Sequence, residues 1–189
     1  MTGLALAHRR RSLLSAARLT PVLLVGPWLL QACSAWPTRS TAAGWTQGRL
    51  LLRVDATADQ AAQSVTAAFE LQGDGNSGEL RLLTPLGTQL ASALWSPRQV
   101  LLTTPAGEQT FVSLDALSQQ AFGQSLPLAA LPDWLAGRPW QGAASQTQPQ
   151  GFEQLGWQVN TANREQGLVE ARRPSAPALL LRVRLESPA

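Results

Sequence analysis

Arg49-Leu50-Leu51-Leu52-Arg53-Val54 decides the fold, because its side chains change character with a period of two. Leu50, Leu52 and Val54 share one face, and Arg49 and Arg53 take the other. The same alternation recurs along the chain. Val65, Ala67, Phe69 and Leu71 alternate with Thr66, Ala68 and Glu70, and Leu80 and Leu82 alternate with Glu79 and Arg81. Leu90 and Leu94 follow, Val100 and Leu102 form another short run, and near the C-terminus Leu179, Leu181, Val183 and Leu185 oppose Leu180, Arg182 and Arg184. Turn formers separate these runs at Gly73-Asp74-Gly75-Asn76, Pro85-Leu86-Gly87, Ser96-Pro97 and Pro105-Ala106-Gly107. Short strands of this kind predict an antiparallel sheet that curls into a barrel or sandwich.

The middle of the chain has a different period. Leu114, Leu117, Ala121 and Phe122 fall at i, i+3, i+7 and i+8, with Ser113 placed to cap the start and Gly123 to stop the end, which predicts a short amphipathic helix. Leu128, Leu131, Trp134 and Leu135 continue a helical stripe, but Pro127 and Pro132 suit first helical turns and break it into two brief pieces closing at Gly137. Gly142 to Gly151, rich in Gln, Ser and Ala, reads as a mobile loop. The helices either plug the sheet and make a filled core, or roof an incomplete barrel and leave an apolar cavity. Pattern alone does not separate the two, and the filled core is the commoner arrangement.

Ahead of the sheet lies an export signal over residues 1–32: a basic stretch (Arg9, Arg10, Arg11, Arg18), an apolar run from Leu19 to Leu30, and small Ala32 at the cut. That run is twelve residues with two prolines, whereas a spanning helix needs about 20 apolar residues. Leu30-Gln31-Ala32-Cys33 resembles the bacterial lipobox, in which the cysteine is lipidated and becomes the new N-terminus. Cys33, the only cysteine, is therefore read as a lipid anchor, with residues 33–44 a polar tether containing Trp36 and residues 45–189 a single domain. Several acyl chains together hold a protein firmly at a bilayer, while one alone binds reversibly.

Composition removes several functions. The signal holds four of the fifteen arginines and none of the twelve acidic residues, so the 157-residue mature chain has eleven against twelve, a net charge of −1. No electrostatic case for nucleic acid remains. The only histidine, His8, lies in the signal, and the chain has no lysine and no tyrosine. Ser-His-Asp and Cys-His nucleophile systems, His/Cys metal sites and Schiff-base lysines are thereby excluded. Paired-carboxylate chemistry has residues to draw on, but Asp55, Asp59, Glu70, Asp74, Glu79 and Glu108 are scattered singly at positions that read as solvated surface. The expectation is a protein that is not an enzyme and carries no cofactor or metal.

Five strings, in order, resemble the outer-membrane lipoprotein receptor family LolB. They are Trp45-Thr46-Gln47-Gly48-Arg49-Leu50, Leu80-Arg81-Leu82-Leu83-Thr84-Pro85-Leu86-Gly87, Gly123-Gln124-Ser125-Leu126-Pro127-Leu128, residues 131–139 (Leu-Pro-Asp-Trp-Leu-Ala-Gly-Arg-Pro) and residues 152–159 (Phe-Glu-Gln-Leu-Gly-Trp-Gln-Val). After Trp157 the chain departs from the family, lacking an aromatic near Asn160 or Thr161 and another close to Leu185-Glu186. The resemblance implies a mainly β fold with a short α insertion, an open antiparallel half-barrel with a helical lid over a hydrophobic cavity. It implies that the cavity takes lipoprotein acyl chains from the periplasmic carrier LolA and releases them into the inner leaflet of the outer membrane. It further implies a monomer, lipid-anchored at the periplasmic face of that membrane. Ser34 agrees with that location, since aspartate next to the lipidated cysteine is the inner-membrane retention signal.

With that fold, the apolar strand faces and the helical stripe predict a cavity lined by Leu50, Leu52, Phe69, Leu71, Leu82, Leu94, Val100, Trp134 and Leu181. In the family the leucine of the Pro-Leu-Gly turn protrudes to solvent and is associated with membrane insertion, a role that falls here to Leu86; a plain hairpin turn is the alternative. Two rival functions stand beside the receptor: a half-barrel lipoprotein that binds another hydrophobic ligand, and a structural envelope lipoprotein with a filled core.

Overall fold

The computed structural model describes residues 44–58 and 61–186, so the signal, the tether with Cys33, and Asp59 lie outside the described residues. Eleven strands form one antiparallel sheet: β1 (Thr46–Val54), β2 (Gln63–Gly73), β3 (Gly78–Leu83), β4 (Gln89–Trp95), β5 (Val100–Thr104), β6 (Gly107–Phe111), β7 (Ser145–Gln148), β8 (Gly151–Gln154), β9 (Trp157–Asn160), β10 (Leu168–Arg173) and β11 (Leu179–Leu185). Their spatial order is β6-β5-β4-β3-β2-β1-β11-β10-β9-β8-β7. The first and last strands thus pair at the centre, each half is a meander of hairpins, and β6 and β7 remain as unpaired edges. The sheet is an open half-barrel.

Register follows the alternation. Leu50 faces Val183 on one side and Ala67 on the other, and Leu52 faces Leu181 and Val65, so one continuous apolar surface crosses β2, β1 and β11. A slip of one residue would turn that surface to solvent and bring Arg49 and Arg53 inside, which is why register is strongly specified here.

Helix α1 (Leu114–Phe122) begins where the sequence placed it: the Ser113 hydroxyl accepts from the Ala116 backbone N–H, and Gly123 closes the helix in the left-handed region at φ +66°. A single 3-10 turn (Leu128–Ala130) runs into α2 (Leu131–Leu135), with Pro132 in the first turn. These three pieces lie against the inner face of the sheet.

Two expectations are corrected. Residues 142–151 do not form a loop throughout: Ser145–Gln148 is the edge strand β7, paired with β8. All four of its residues are exposed, so it carries no apolar alternation and is held by backbone hydrogen bonds alone. On β4, Leu90 and Leu94 face outward, 45% and 49% exposed, while Ala91, Ala93 and Trp95 face in. The stronger leucine pattern lies on the outer face because the inner one is filled by alanine beneath the helices.

The half-barrel is closed at one end and open at the other. At the closed end the β2–β3 hairpin is fastened by Asp74, whose carboxylate accepts from the Asn76 and Ser77 backbone N–H groups at 2.7 and 2.9 Å. Those bonds, Ser77's foremost, hold its pKa below the usual carboxylate value. Trp95 Nε1 donates to the Asp74 carbonyl at 2.9 Å. Gly48, opposite Phe69 in the register, leaves room for the Phe69 ring, whose Cε1 a Cβ there would meet at 3.0 Å, and for the Arg184 carbonyl, which it would meet at 2.2 Å.

Candidate functional site

Between the sheet and the helices lies a cavity of about 260 Å³. Its floor is Leu50 and Leu52 of β1, Leu82 of β3 and Leu181 of β11, and its roof is drawn from α1 and the segment after it, among them Leu117, Phe122, Leu128 and Leu131. Of eighteen lining residues, Thr104 is the only one with an aliphatic polar group, and none is charged. Such a surface can hold a ligand chiefly through apolar area, at roughly 25 cal/mol per Å² removed from water, and its lining carries no ionisable side chain. The core is therefore not filled.

Of the nine residues predicted to line the cavity, the structure brings Leu50, Leu52, Leu82 and Leu181 together on it, and the other five lie off it. Phe69, Leu71 and Val100 share the inward faces but sit toward the closed end of their strands, buried to 2%, 2% and 5% exposure. Trp134 is 1% exposed and packs edge-on against Phe152 and tilted against Trp157, with ring centroids 6.3 and 6.2 Å away. Leu94 points to solvent for the reason given above. Alternation reports which face a residue takes but not its distance along the strand, and distance separates cavity from solid core here. Leu102, Leu117, Phe122, Leu128 and Leu131 also line it; each stood in an apolar strand run or helical stripe, which was the available signal. Val65 likewise stood in the alternating run of β2, whereas Trp157 and Ala91 stood in no such run.

The roof is tied down by polar groups. Gln154, 2% exposed on β8, accepts from Trp134 Nε1 (2.8 Å) and the Trp140 backbone N–H (3.0 Å), and donates to the Trp140 and Ala143 carbonyls (2.7 and 2.8 Å). All four hydrogen-bonding positions of the amide are filled. Ser118, fully buried on α1, accepts from the Leu126 backbone N–H at 3.0 Å. Arg173 of β10 reaches Gln124 Oε1 at 2.8 Å in the connection between the helices and lies 5.8 Å from the Trp157 ring. Burial lowers its pKa from the ordinary arginine value.

The open end faces the turn between β3 and β4. Val65, 41% exposed, stands at the cavity rim there, and Ala91 and Thr104 line the same end. The turn itself is rigid: Gly87 N–H donates to the Thr84 carbonyl, Thr84 N–H to the Thr88 carbonyl, both at 2.8 Å, and Gly87 has φ +85°. At its tip Leu86 is 94% exposed.

One antiparallel sheet rolled into an open half-barrel and roofed by short helices over an uncharged, mainly apolar cavity defines the class of lidded half-barrels. The family model for Outer membrane lipoprotein LolB matches residues 46–185. An Outer-membrane lipoprotein LolB of Bordetella pertussis is 33% identical over 153 residues, covering 75% of this chain and 76% of the relative. One from Cupriavidus metallidurans is 31% identical over 159 residues, with 78% of each chain covered. One from Ralstonia nicotianae is 34% identical over 121 residues, 60% of this chain and 57% of the relative. The chain belongs to the LolB family.

Proposed function

We propose that the protein is the outer-membrane receptor of lipoprotein localisation: it accepts lipoproteins from the carrier LolA and inserts them into the inner leaflet of the outer membrane, itself held there through lipidated Cys33. The observation that carries this reading is the uncharged cavity, open at the end where a rigid turn holds Leu86 in solvent. A cargo acyl chain gains about 0.8 kcal/mol per methylene removed from water whichever apolar site it occupies. Passage from carrier to receptor to bilayer therefore requires only that each site hold the chain a little better than the last, and no reacting group. Catalysis has no part in the proposal, and neither does a metal or cofactor.

Leu86 supplies the last step in this reading. A leucine outside any core gives its full apolar area to the bilayer, on the order of 1.5–3 kcal/mol, which brings the cavity mouth to the acceptor surface. The purified protein is to be extracted and its bound species weighed by mass spectrometry, then mixed with a loaded carrier and with liposomes. Bound acyl lipid and carrier-dependent delivery to the liposomes are expected. Bound lipid without delivery would assign a passive binder, and no bound lipid after exposure to the loaded carrier would sink the receptor reading.

A further inference from the structure

The outer face of the sheet, which the cavity does not use, carries an uneven charge. Arg49 of β1 and Arg184 of β11 are exposed and stand directly opposite each other. Among the described residues neither has a carboxylate partner, whereas Arg53 pairs with Asp55, and Arg172 and Arg182 share Glu170. Five arginines thus occupy successive outward rows of β1, β11 and β10 against Asp55, Glu170 and Glu186, the last just past β11, a local excess of two positive charges. Like charges directly opposite on a sheet repel and destabilise the pair. An anion laid across the two guanidinium groups would remove that repulsion.

Position in the sheet names the anion. Arg49 faces Ala68, and Ala68 faces Leu83, the last residue of β3, so the arginine pair lies in the row from which the Leu86 turn departs. With strands about 4.8 Å apart, Arg49 and Arg184 stand roughly 10 and 15 Å from β3. Cys33 lies thirteen residues before Thr46, a reach of at most about 45 Å for extended chain, enough for this face to meet a bilayer that holds the anchor. We propose that the outer face of β1 and β11, centred on Arg49 and Arg184, is a phospholipid-headgroup contact that rests on the bilayer while the Leu86 turn inserts, with lipid phosphate bridging the two guanidinium groups. This rests on the insertion reading of that turn. Guanidinium matches phosphate in a two-pronged geometry that a point cation does not, and its charge is permanent.

The test uses the lipidated full chain, in which Cys33 offers no free thiol. Ser64, exposed on β2 opposite Arg53, is changed to cysteine and labelled with a fluorophore. The protein is placed in phosphatidylcholine vesicles, with or without phosphatidylglycerol, containing lipids that carry a quencher on the headgroup. Quenching is expected to be stronger with phosphatidylglycerol and to fall in 1 M salt, where the screening length is about 3 Å instead of about 10 Å at 0.1 M. Each arginine at an anionic surface is worth about fivefold in binding, so Arg49→Gln with Arg184→Gln should lower occupancy of the contact about 25-fold. Equal quenching in the double variant and the parent overturns the proposal. So does a double variant that keeps its quenching and instead loses uptake from a loaded carrier, which would make the pair a docking point for an acidic protein. Leu86→Glu separates the two readings: if it keeps the salt-sensitive quenching that the arginine variant loses and still delivers to liposomes as well as the parent, the headgroup contact stands and the insertion role of the turn falls.

Discussion

Gln154→Glu should turn the best-satisfied polar group beneath the roof into its weakest point. The amide donates to the Trp140 and Ala143 carbonyls at 2.7 and 2.8 Å from a position only 2% exposed. Glutamate has the same shape but donates nothing when ionised, so both carbonyls would face a carboxylate oxygen. Each buried acceptor left unpaired costs about 1–3 kcal/mol, or roughly 2–6 kcal/mol for the two, and a buried unpaired charge adds several more. Protonation returns one donor, so the folded variant should hold its proton above the ordinary glutamate pKa of about 4.3. A group with a raised folded-state pKa contributes its stability below the unfolded value and loses it as pH rises. The deficit against the parent should therefore be smallest near pH 4 and deepen by about 1.4 kcal/mol per pH unit until the folded value is passed. Urea unfolding of parent, Gln154→Glu and Gln154→Leu at pH 5 and pH 8 measures this, with the leucine variant expected to show a similar deficit at both. A glutamate deficit below about 1 kcal/mol at pH 8, or one that does not change with pH, would refute the claim that this amide holds the roof.

Cys33→Ala should abolish incorporation of radioactive fatty acid in cells, because no other thiol can accept the diacylglyceryl group; label in the mutant would end the anchoring argument. Leu86→Glu should alter folding by less than about 0.5 kcal/mol yet slow delivery to liposomes tenfold or more, with acceptance from the carrier near normal. Val112→Glu is the control: Val112 is 96% exposed but follows β6 at the closed end, so its delivery should match the parent, and an equal defect in both would assign the effect to charge rather than to the turn. Leu82→Glu places a carboxylate in the apolar cavity at a cost of several kcal/mol and should sharply reduce binding of a fluorescent fatty acid, while Leu94→Glu, on the outer face, should not. Equal binding in the two, with intact circular dichroism, would move the site elsewhere.

The sequence by itself determined the elements whose residues alternate or repeat: β1 to β5, β11, and α1 with its cap and stop. It also determined what the chain lacks for chemistry, since a side chain that is absent is absent in any fold. Its five family strings named an architecture that periodicity left open between cavity and filled core. Tertiary structure decided the rest. β7 has no buried face, and its strand exists only because β8 supplies hydrogen bonds from across a turn. The pairing of β1 with β11 joins residues more than a hundred positions apart, and it alone makes one floor from Leu52 and Leu181. Phe69 and Leu52 look alike to any pattern, both apolar and both inward, but Phe69 falls at the closed end over Gly48 and Leu52 near the open one. Periodicity is a property of neighbouring bonds and fixes a side chain's face; how far along the strand it meets a roof is set by where distant helices land.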